Sequence, residues 1–520
     1  MTPKEFLERL APCIEREDLD ACVEEAARLA KEAGIDSRAL LELSSEILIG
    51  GNFGLANVLA LSAAEGLNGT DKASAFSIAG LSAYYNGEKN CSEEHYKKAL
   101  EIDPNNADAH NNYAILLIDL DRKNEAEEHY KKALEIKPDY GDAHYNYANL
   151  LVDLERKNEA EEHYKKALET KPDDSEAHYN YAILLVNLGR KSEAEEHYKK
   201  ALEIKPDYAD AHNNYALLLI DLDRKNEAEE HYKKALEIKP DDADAHNNYA
   251  NLLVDLERKN EAEEHYKKAL ETKPDYANAH YNYAILLVNL GRKVEAEDQF
   301  LDAIRLEGKN PDFHYGYANL LRDKGRFYEA KIEAKTALRI KPDSSEALAT
   351  LGDILLDDGY LKEAELVYKE SLENLASKDS EPAIESEIHN SLGYVYTQNE
   401  RYSEAKKEFK EAVRLNPENK YSPENLRHIS RVTSVPRTSR NQITIAVILS
   451  IFLIASYILF WCHRITETVF AAQSTLLFIL ILAVLFIQHI SSFKVGDVEF
   501  KTSEQGYASA KSVTAEMKRK

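Results

Sequence analysis

Cysteine is scarce in this chain. Four residues in 520 (Cys13, Cys22, Cys91 and Cys462) supply no disulfide framework, and the bulk of the protein fits a reducing compartment. Positive charge is in deficit as well: 66 Lys and Arg face 92 Asp and Glu, a net charge of −26. Nucleic acid is excluded as a partner on that ground, because its phosphates recruit Lys and Arg. The motifs that carry chemistry are also missing. There is no glycine-rich phosphate loop, no paired-cysteine metal spacing and no G-x-S-x-G nucleophile turn, so no enzymatic activity, cofactor or metal is expected. The N-terminal MTPKEFLERL puts charges where a secretory signal has its apolar stretch, and no such signal is expected.

What is there is a repeat. SEAEEHYKKALEIKPDYADAHNNYALLLIDLDRK (Ser192 to Lys225) has near copies from about Ala73 to Asn419. Copies start at Ala107, Gly141, Ser175, Ala209, Ala243, Ala277, Pro311 and Ser345, a period of 34 residues. A fixed period of that length marks a helical-hairpin solenoid. Within a copy, Tyr113, Ala114, Leu116, Leu117 and Leu120 fall on one helical face. The polar turn Asp121-Arg122-Lys123 follows. A second helix then carries Ala126, Tyr130, Ala133 and Leu134 on one side, and Pro138 ends it because proline cannot donate to a continuing helix. Asn124 with Glu127, and Ser192 with Glu195, fit a capping box at the start of that second helix. Glu127–Lys131 and Glu128–Lys132 are four apart and read as a solvated outer face. Ala114 and Ala126 are small where two antiparallel helices approach, with Tyr113 and Tyr130 beside them. One hairpin cannot cover its own apolar face, whereas stacked copies can, so stability becomes a sum of unit and neighbour terms. The copy at 107–140 differs from that at 209–242 only at Ile115/Leu217 and Tyr140/Asp242, which marks a whole duplication of a 102-residue block.

With Ala114, Ala126, Tyr130, Ala133 and Pro138 at these spacings, the chain resembles the tetratricopeptide-repeat (TPR) family over about two-thirds of its length. The resemblance implies an all-α superhelical solenoid in which first helices line a concave groove that binds extended or helical protein segments. One departure is that His110, His144, His178, His212, His246, His280 and His314 stand where the family usually has tryptophan. That substitution is expected to thin the packing of each first helix.

The domain organisation expected is a divergent helical cap at 1–72, a solenoid of about ten repeats at 73–419, a capping helix and basic linker at 420–441, two transmembrane helices within 442–490, and a cytoplasmic tail at 491–520. In the cap, Ala26/Ala33 and Ala56/Ala63 keep the seven-residue spacing of the good copies, and Gly34 and Gly50-Gly51 mark turns. A short insertion, Ala376 to Glu385, breaks the phase, and Ser422 to Val432 closes the array. Ile443 to Cys462 and Val469 to Ile490 are uncharged runs of 20 and 22 residues, long enough to cross a bilayer core at ~1.5 Å per residue. Arg427, Arg431, Arg437 and Arg440 precede them, Lys494 and Lys501 follow, and the connection holds Arg464 alone. The positive-inside rule puts both flanks in the cytoplasm, as in an integral protein of the inner or plasma membrane, of bacterial or archaeal type.

His129, His163, His197, His231 and His265 recur once per copy and invite a metal reading. Packed helices lie about 8–10 Å apart, whereas zinc ligands lie ~2.0–2.1 Å from their ion, so packed or surface histidines are expected. The tyrosine stripe is read as core. The resemblance places Asp108, Asn111, Asn112, Ile115, Ile118 and Asp119 of one copy on the groove, with Asp142, Tyr145, Asn146, Asn149, Val152 and Asp153 of the next. No basic residue enters that groove before Arg322, which argues against a clamp for acidic tails. Instead Asn112, Asn146, Asn180, Asn214, Asn248 and Asn282 recur in phase, similar to the asparagine ladder of the TPR superhelix in O-linked N-acetylglucosamine transferase, although this chain has no transferase domain. An amide donates and accepts together, so it suits a partner's backbone. With Asn149, Asn251, Asp119, Asp153, Asp221 and Asp255 these residues form the candidate groove for a neutral to basic protein or peptide segment. The function expected is a membrane-anchored cytoplasmic scaffold, touching the bilayer through 443–462 and 469–490. The alternative is an accessory or regulatory subunit of a membrane transport or channel assembly.

Overall fold

The computed structural model describes residues 3–14, 19–376, 382–418, 421–434, 438–461, 466–486, 492–495 and 498–501. Those residues form 27 helices and one short strand pair, in two compact units, Met1–Thr272 and Lys273–Lys520.

The first unit opens with helices Pro3–Ile14 and Leu19–Ala33, then a hairpin of Ser37–Ile49 and Phe53–Gly66. Phe6, Leu10, Val23, Leu29, Leu55 and Leu59 bury their side chains together there. Asp36 and Asn52 cap this hairpin's helices by accepting from the Ala39 and Leu55 N–H groups at 2.8 and 3.2 Å. Six helical hairpins follow. The first, Gly69–Tyr85 with Lys89–Ile102, starts inside the stretch read as cap, and the next five run from Ala107–Asp119/Lys123–Ile136 to Ala243–Asp255/Lys259–Thr272. The turn within each hairpin needs one left-handed residue. Gly87 and Gly189 supply it freely, whereas Asp121, Glu155, Asp223 and Glu257 adopt it at φ 59°.

The second helices do not use the expected capping box. Lys123–Ile136 and Lys191–Ile204 start from Arg122 and Arg190 with no side-chain cap bond. Glu127 and Glu195 turn instead to cations and a tyrosine of the next hairpin, and bonds from charged donors are stronger than a bond to one backbone N–H. Ala114 and Ala126 are fully buried at the helix–helix contact. In the hairpin before, Gly80 takes the place of Ala114, and a Cβ there would lie 2.8 Å from the Tyr96 ring. Between hairpins the core is aromatic: Tyr130 stacks on Tyr147 and Tyr164 on Tyr181, with ring centroids 5.8 and 5.7 Å apart.

The second unit holds four more hairpins, from Ala277–Asn289/Lys293–Leu306 to Pro382–Gln398/Tyr402–Leu415. Helix Ser422–Ser434 closes it by burying Ile429 against Leu392, Val395 and Phe409. Residues 377–381 of the expected insertion lie outside the described residues. Two apolar helices follow, Thr438–Trp461 and Glu467–Phe486, with Phe460 stacked on Phe470 at 4.5 Å. Among the described residues no helix is long and apolar enough to cross a membrane. The expected spans lie partly outside them: side chains are described without a break only over 447–461, fifteen residues against the ~20 that a bilayer core requires. The all-α expectation also omits a strand pair, Ser492–Val495 with Val498–Lys501, antiparallel with Phe493 opposite Phe500. Alternating Phe and Val suit a short hairpin.

Candidate partner-binding groove

In the first unit four of the five ladder asparagines bridge successive first helices. Asn146 Nδ2 donates to Asn111 Oδ1 at 3.1 Å, and Asn248 Nδ2 to Asn213 Oδ1 at 3.2 Å. Asn180 and Asn214 donate to the Tyr145 and Tyr179 hydroxyls, each at 2.7 Å. Asn112 accepts from Asn111 at 3.0 Å. All five are half-buried. The ladder is therefore first a zipper between repeats, although each amide nitrogen carries a second N–H. Asn282 belongs to the second unit and is engaged as well. One repeat later Gly316 takes the ladder position, where a Cβ would meet the Tyr281 ring at 2.7 Å.

Asn149 accepts from the Tyr164 hydroxyl at 2.5 Å, and Asn251 accepts from Tyr266. The four aspartates are exposed and reach back one repeat. Asp119 accepts from the Tyr84 hydroxyl at 2.7 Å, while Asp153, Asp221 and Asp255 face Lys123, Lys191 and Lys225 at 3.5, 3.2 and 3.2 Å. Exposed pairs of this kind contribute ~0–1 kcal/mol each. In the second unit Arg322 is held by Asp353 at 2.5 Å and Asp357 at 3.4 Å, so its charge is answered twice over.

Two features were not foreseen. The first is a lock between repeats. Glu127 accepts from Arg156 at 2.7 Å, from the Tyr147 hydroxyl at 2.8 Å and from Lys131 at 2.7 Å, and the same set recurs at Glu161, Glu195 and Glu229. Partial burial works to raise the Glu127 pKa, but the bonds from Lys131, Arg156 and Tyr147 outweigh it and hold it at about 2. Lys131 takes its expected partner. Lys132 does not: it pairs with Glu135 at 2.8 Å rather than with Glu128. An arginine recurring 29 residues after each of these glutamates was the available signal.

The second feature is a histidine seam inside each hairpin. His110 Nε2 lies 3.0 Å from the Pro104 carbonyl, and its Nδ1 lies 2.8 Å from His129 Nδ1. The same arrangement joins His144 to His163, His178 to His197, His212 to His231 and His246 to His265. The expected thinning is not found: a second imidazole packs against the first with ring centroids 5.0 Å apart, and His110 is only 7% exposed. Among the described residues no group of three or more His, Cys, Asp or Glu side chains is placed to hold a metal ion.

Within each unit, stacked two-helix elements that bury themselves against their neighbours and display first-helix side chains define a helical-repeat solenoid. Its repeats match tetratricopeptide-repeat models at residues 95–128, 124–179, 231–264, 253–320, 311–344 and 386–419, and the middle TPR-like domain of cilia and flagella-associated protein 70 at residues 154–246. Taken together these matches run through more than half of the sequence, and its repeats are tetratricopeptide repeats. No curated protein matches it. Among solved structures it is similar in fold to the APC/C hetero-tetramer Cut9–Hcn1 (15% identity over 78% of this chain and 89% of that one, TM-score 0.45) and to yeast Tom70 (17%, 77% and 97%, TM-score 0.39). It is also similar to a tetratricopeptide repeat protein from Parabacteroides merdae ATCC 43184 (20%, 49% and 97%, TM-score 0.41).

Proposed function

We propose that this chain is a non-catalytic, membrane-anchored scaffold whose first-helix face recruits a neutral to basic protein segment in the cytoplasm. The observation that carries the reading is the exposed row Asp119, Asp153, Asp221 and Asp255, held by surface tyrosine and lysine partners that a cationic segment can replace, beside the half-buried amides. The test is fluorescence anisotropy of the full chain in detergent with three extended peptides of equal length, rich in lysine, neutral or rich in glutamate. The lysine-rich peptide should bind tightest and weaken as salt rises. Replacing the four aspartates by asparagine should cost that peptide about tenfold, from several exposed pairs of under ~1 kcal/mol each. Equal or tighter binding of the glutamate-rich peptide refutes the reading.

The anchor rests on the uncharged runs at 443–462 and 469–490. It is supported by side chains of the helix pair that stand open: Ile451, Phe452, Ile454, Tyr457 and Ile458 are 54–60% exposed. Leaving that area in water costs ~25 cal/mol per Å², which lipid removes. Alkaline carbonate should leave the chain in the membrane fraction. Protease added outside sealed cells should leave residues 1–440 intact, and digestion of the repeats would reverse the topology.

A further inference from the structure

We propose that the repeats of the first unit are an acid-sensitive device, in which five His–His pairs hold their hairpins only while they carry few protons. The argument begins with tautomers. The five Nδ1–Nδ1 separations are 2.7–2.8 Å, so one proton lies between each pair of nitrogens. The first-helix member must donate its Nε2–H to a proline carbonyl, of Pro104, Pro138, Pro172, Pro206 or Pro240, at 2.9–3.1 Å. In a neutral imidazole that leaves Nδ1 as the acceptor. The second-helix member therefore donates through Nδ1–H and keeps its own lone pair on Nε2.

Proton uptake then has two consequences. A first proton on Nε2 of the second histidine leaves the Nδ1–H···Nδ1 bond intact. A second proton, on Nδ1 of the first histidine, sets two N–H donors against each other across 2.8 Å and breaks the seam between the two helices. The pair titrates as a unit. The His212–His231 pair lines an open cleft of about 740 Å³ beside Tyr215 and Arg224, so water and protons reach it.

Charges of both signs surround each seam. The His110–His129 pair has Arg122 and Lys132 against Glu125 and Asp103, with the Tyr113 ring 4.6 Å away. Next, His144–His163 has Arg156 and Lys166 against Glu159 and Glu169, and His178–His197 has Lys200 against Glu193, Asp173 and Asp174. At His212–His231 the set is Arg224, Lys234 and Glu227, with Lys199, Glu203, Asp207 and Glu237 lining the same cleft, and at His246–His265 it is Arg258, Lys268, Glu261, Asp241 and Asp242. Burial lowers the first-helix members, which take the seam-breaking proton, and burial followed by the facing histidine pushes the second-helix members down to about 4. A depressed histidine pKa stabilises the fold fully above the ordinary value near 6.5, and that contribution is lost as pH falls from there toward 4.

The second unit carries the contrast. His280 faces Gln299 at 2.7 Å, and His389 faces Glu408 at 2.6 Å. His314 has both ring nitrogens against acceptors, Glu333 at 2.7 Å and the Gly308 carbonyl at 3.1 Å, a setting for imidazolium that raises its pKa, with the bond to Glu333 first among the causes. Its contribution has the opposite sign: present in acid and lost as pH rises through the raised pKa.

The test is hydrogen exchange of the full chain, read by mass spectrometry from pH 7.5 to 4.5 and corrected for intrinsic rates. Protection of helices between 107 and 272 should fall at least tenfold more than that of 311–340. Replacing His129, His163, His197, His231 and His265 by glutamine, the residue already present as Gln299, should remove most of that difference. Exchange at the histidine C2 carbon in the unaltered chain gives each pKa whether or not the variant folds. Second-helix histidines titrating near 6.5, or equal loss of protection in both units, would overturn the proposal.

Discussion

Replacing Glu127 by glutamine should loosen the joint between two repeats without disturbing either hairpin. Glutamine keeps the shape but removes the charge on which Arg156, Lys131 and Tyr147 converge. Lowering a carboxyl pKa from 4.5 to about 2 corresponds to a ceiling of about 3 kcal/mol at ~1.4 kcal/mol per pKa unit. The Lys131 and Arg156 side chains are 55% and 34% exposed, so solvent screening cuts this to roughly 1–2 kcal/mol. Arg156 also keeps Glu159 at 2.6 Å, which limits the loss further. Stability in a repeat array is a sum of local terms. Amide exchange in Lys123–Ile136 and Gly141–Asp153 should therefore quicken about tenfold while distant repeats stay unchanged. The same change at Glu128, exposed one residue along, is the control and should stay within twofold. The carboxylate's contribution is fully present above pH 4.5 and lost as pH falls toward 2, so the two proteins should converge in strong acid. If Glu127→Gln and Glu128→Gln behave alike at neutral pH, the lock contributes nothing and the reasoning fails.

Glu155 sits in the left-handed region at φ 59°, where its copy-mate Gly189 has no Cβ to strain. Glu155→Gly should raise local stability by up to ~1 kcal/mol, measured as slower exchange in the flanking helices; faster exchange would refute the strain. Asn180→Ala should weaken the array by ~1 kcal/mol with no partner present, because it removes the bond to the Tyr145 hydroxyl. A change visible only when a peptide is bound would return the ladder to a purely recognitive role.

Local rules make part of this fold legible in the sequence and leave the rest to tertiary contact. Hairpins, their period and the proline at each end are written in spacings of three, four and 34 residues, and short-range helix physics decodes them. Partner choice is not written that way. Glu127 fits a capping box and an i,i+4 pair equally well from the sequence, and it keeps the second of these with Lys131; its bond to Arg156, 29 residues on, arrives only when one hairpin stacks on another. The ladder asparagines had the right phase, but their reach back 35 residues to Asn111, Tyr145, Tyr179 and Asn213 is a product of stacking.

The histidines show the division most clearly. The sequence alone determined that His110 and His129 recur with the repeat, and that adjacent copies stand too far apart to share a metal. Only the folded hairpin decided that these two imidazoles, 19 residues apart, meet Nδ1 to Nδ1. The proline carbonyl beneath them then fixed which nitrogen holds the proton. A hydrogen-bond partner is selected by angle and by distance to within a few tenths of an ångström. Those quantities come into being only when two helices pack, whereas the helices themselves are set by the residues next to one another along the chain.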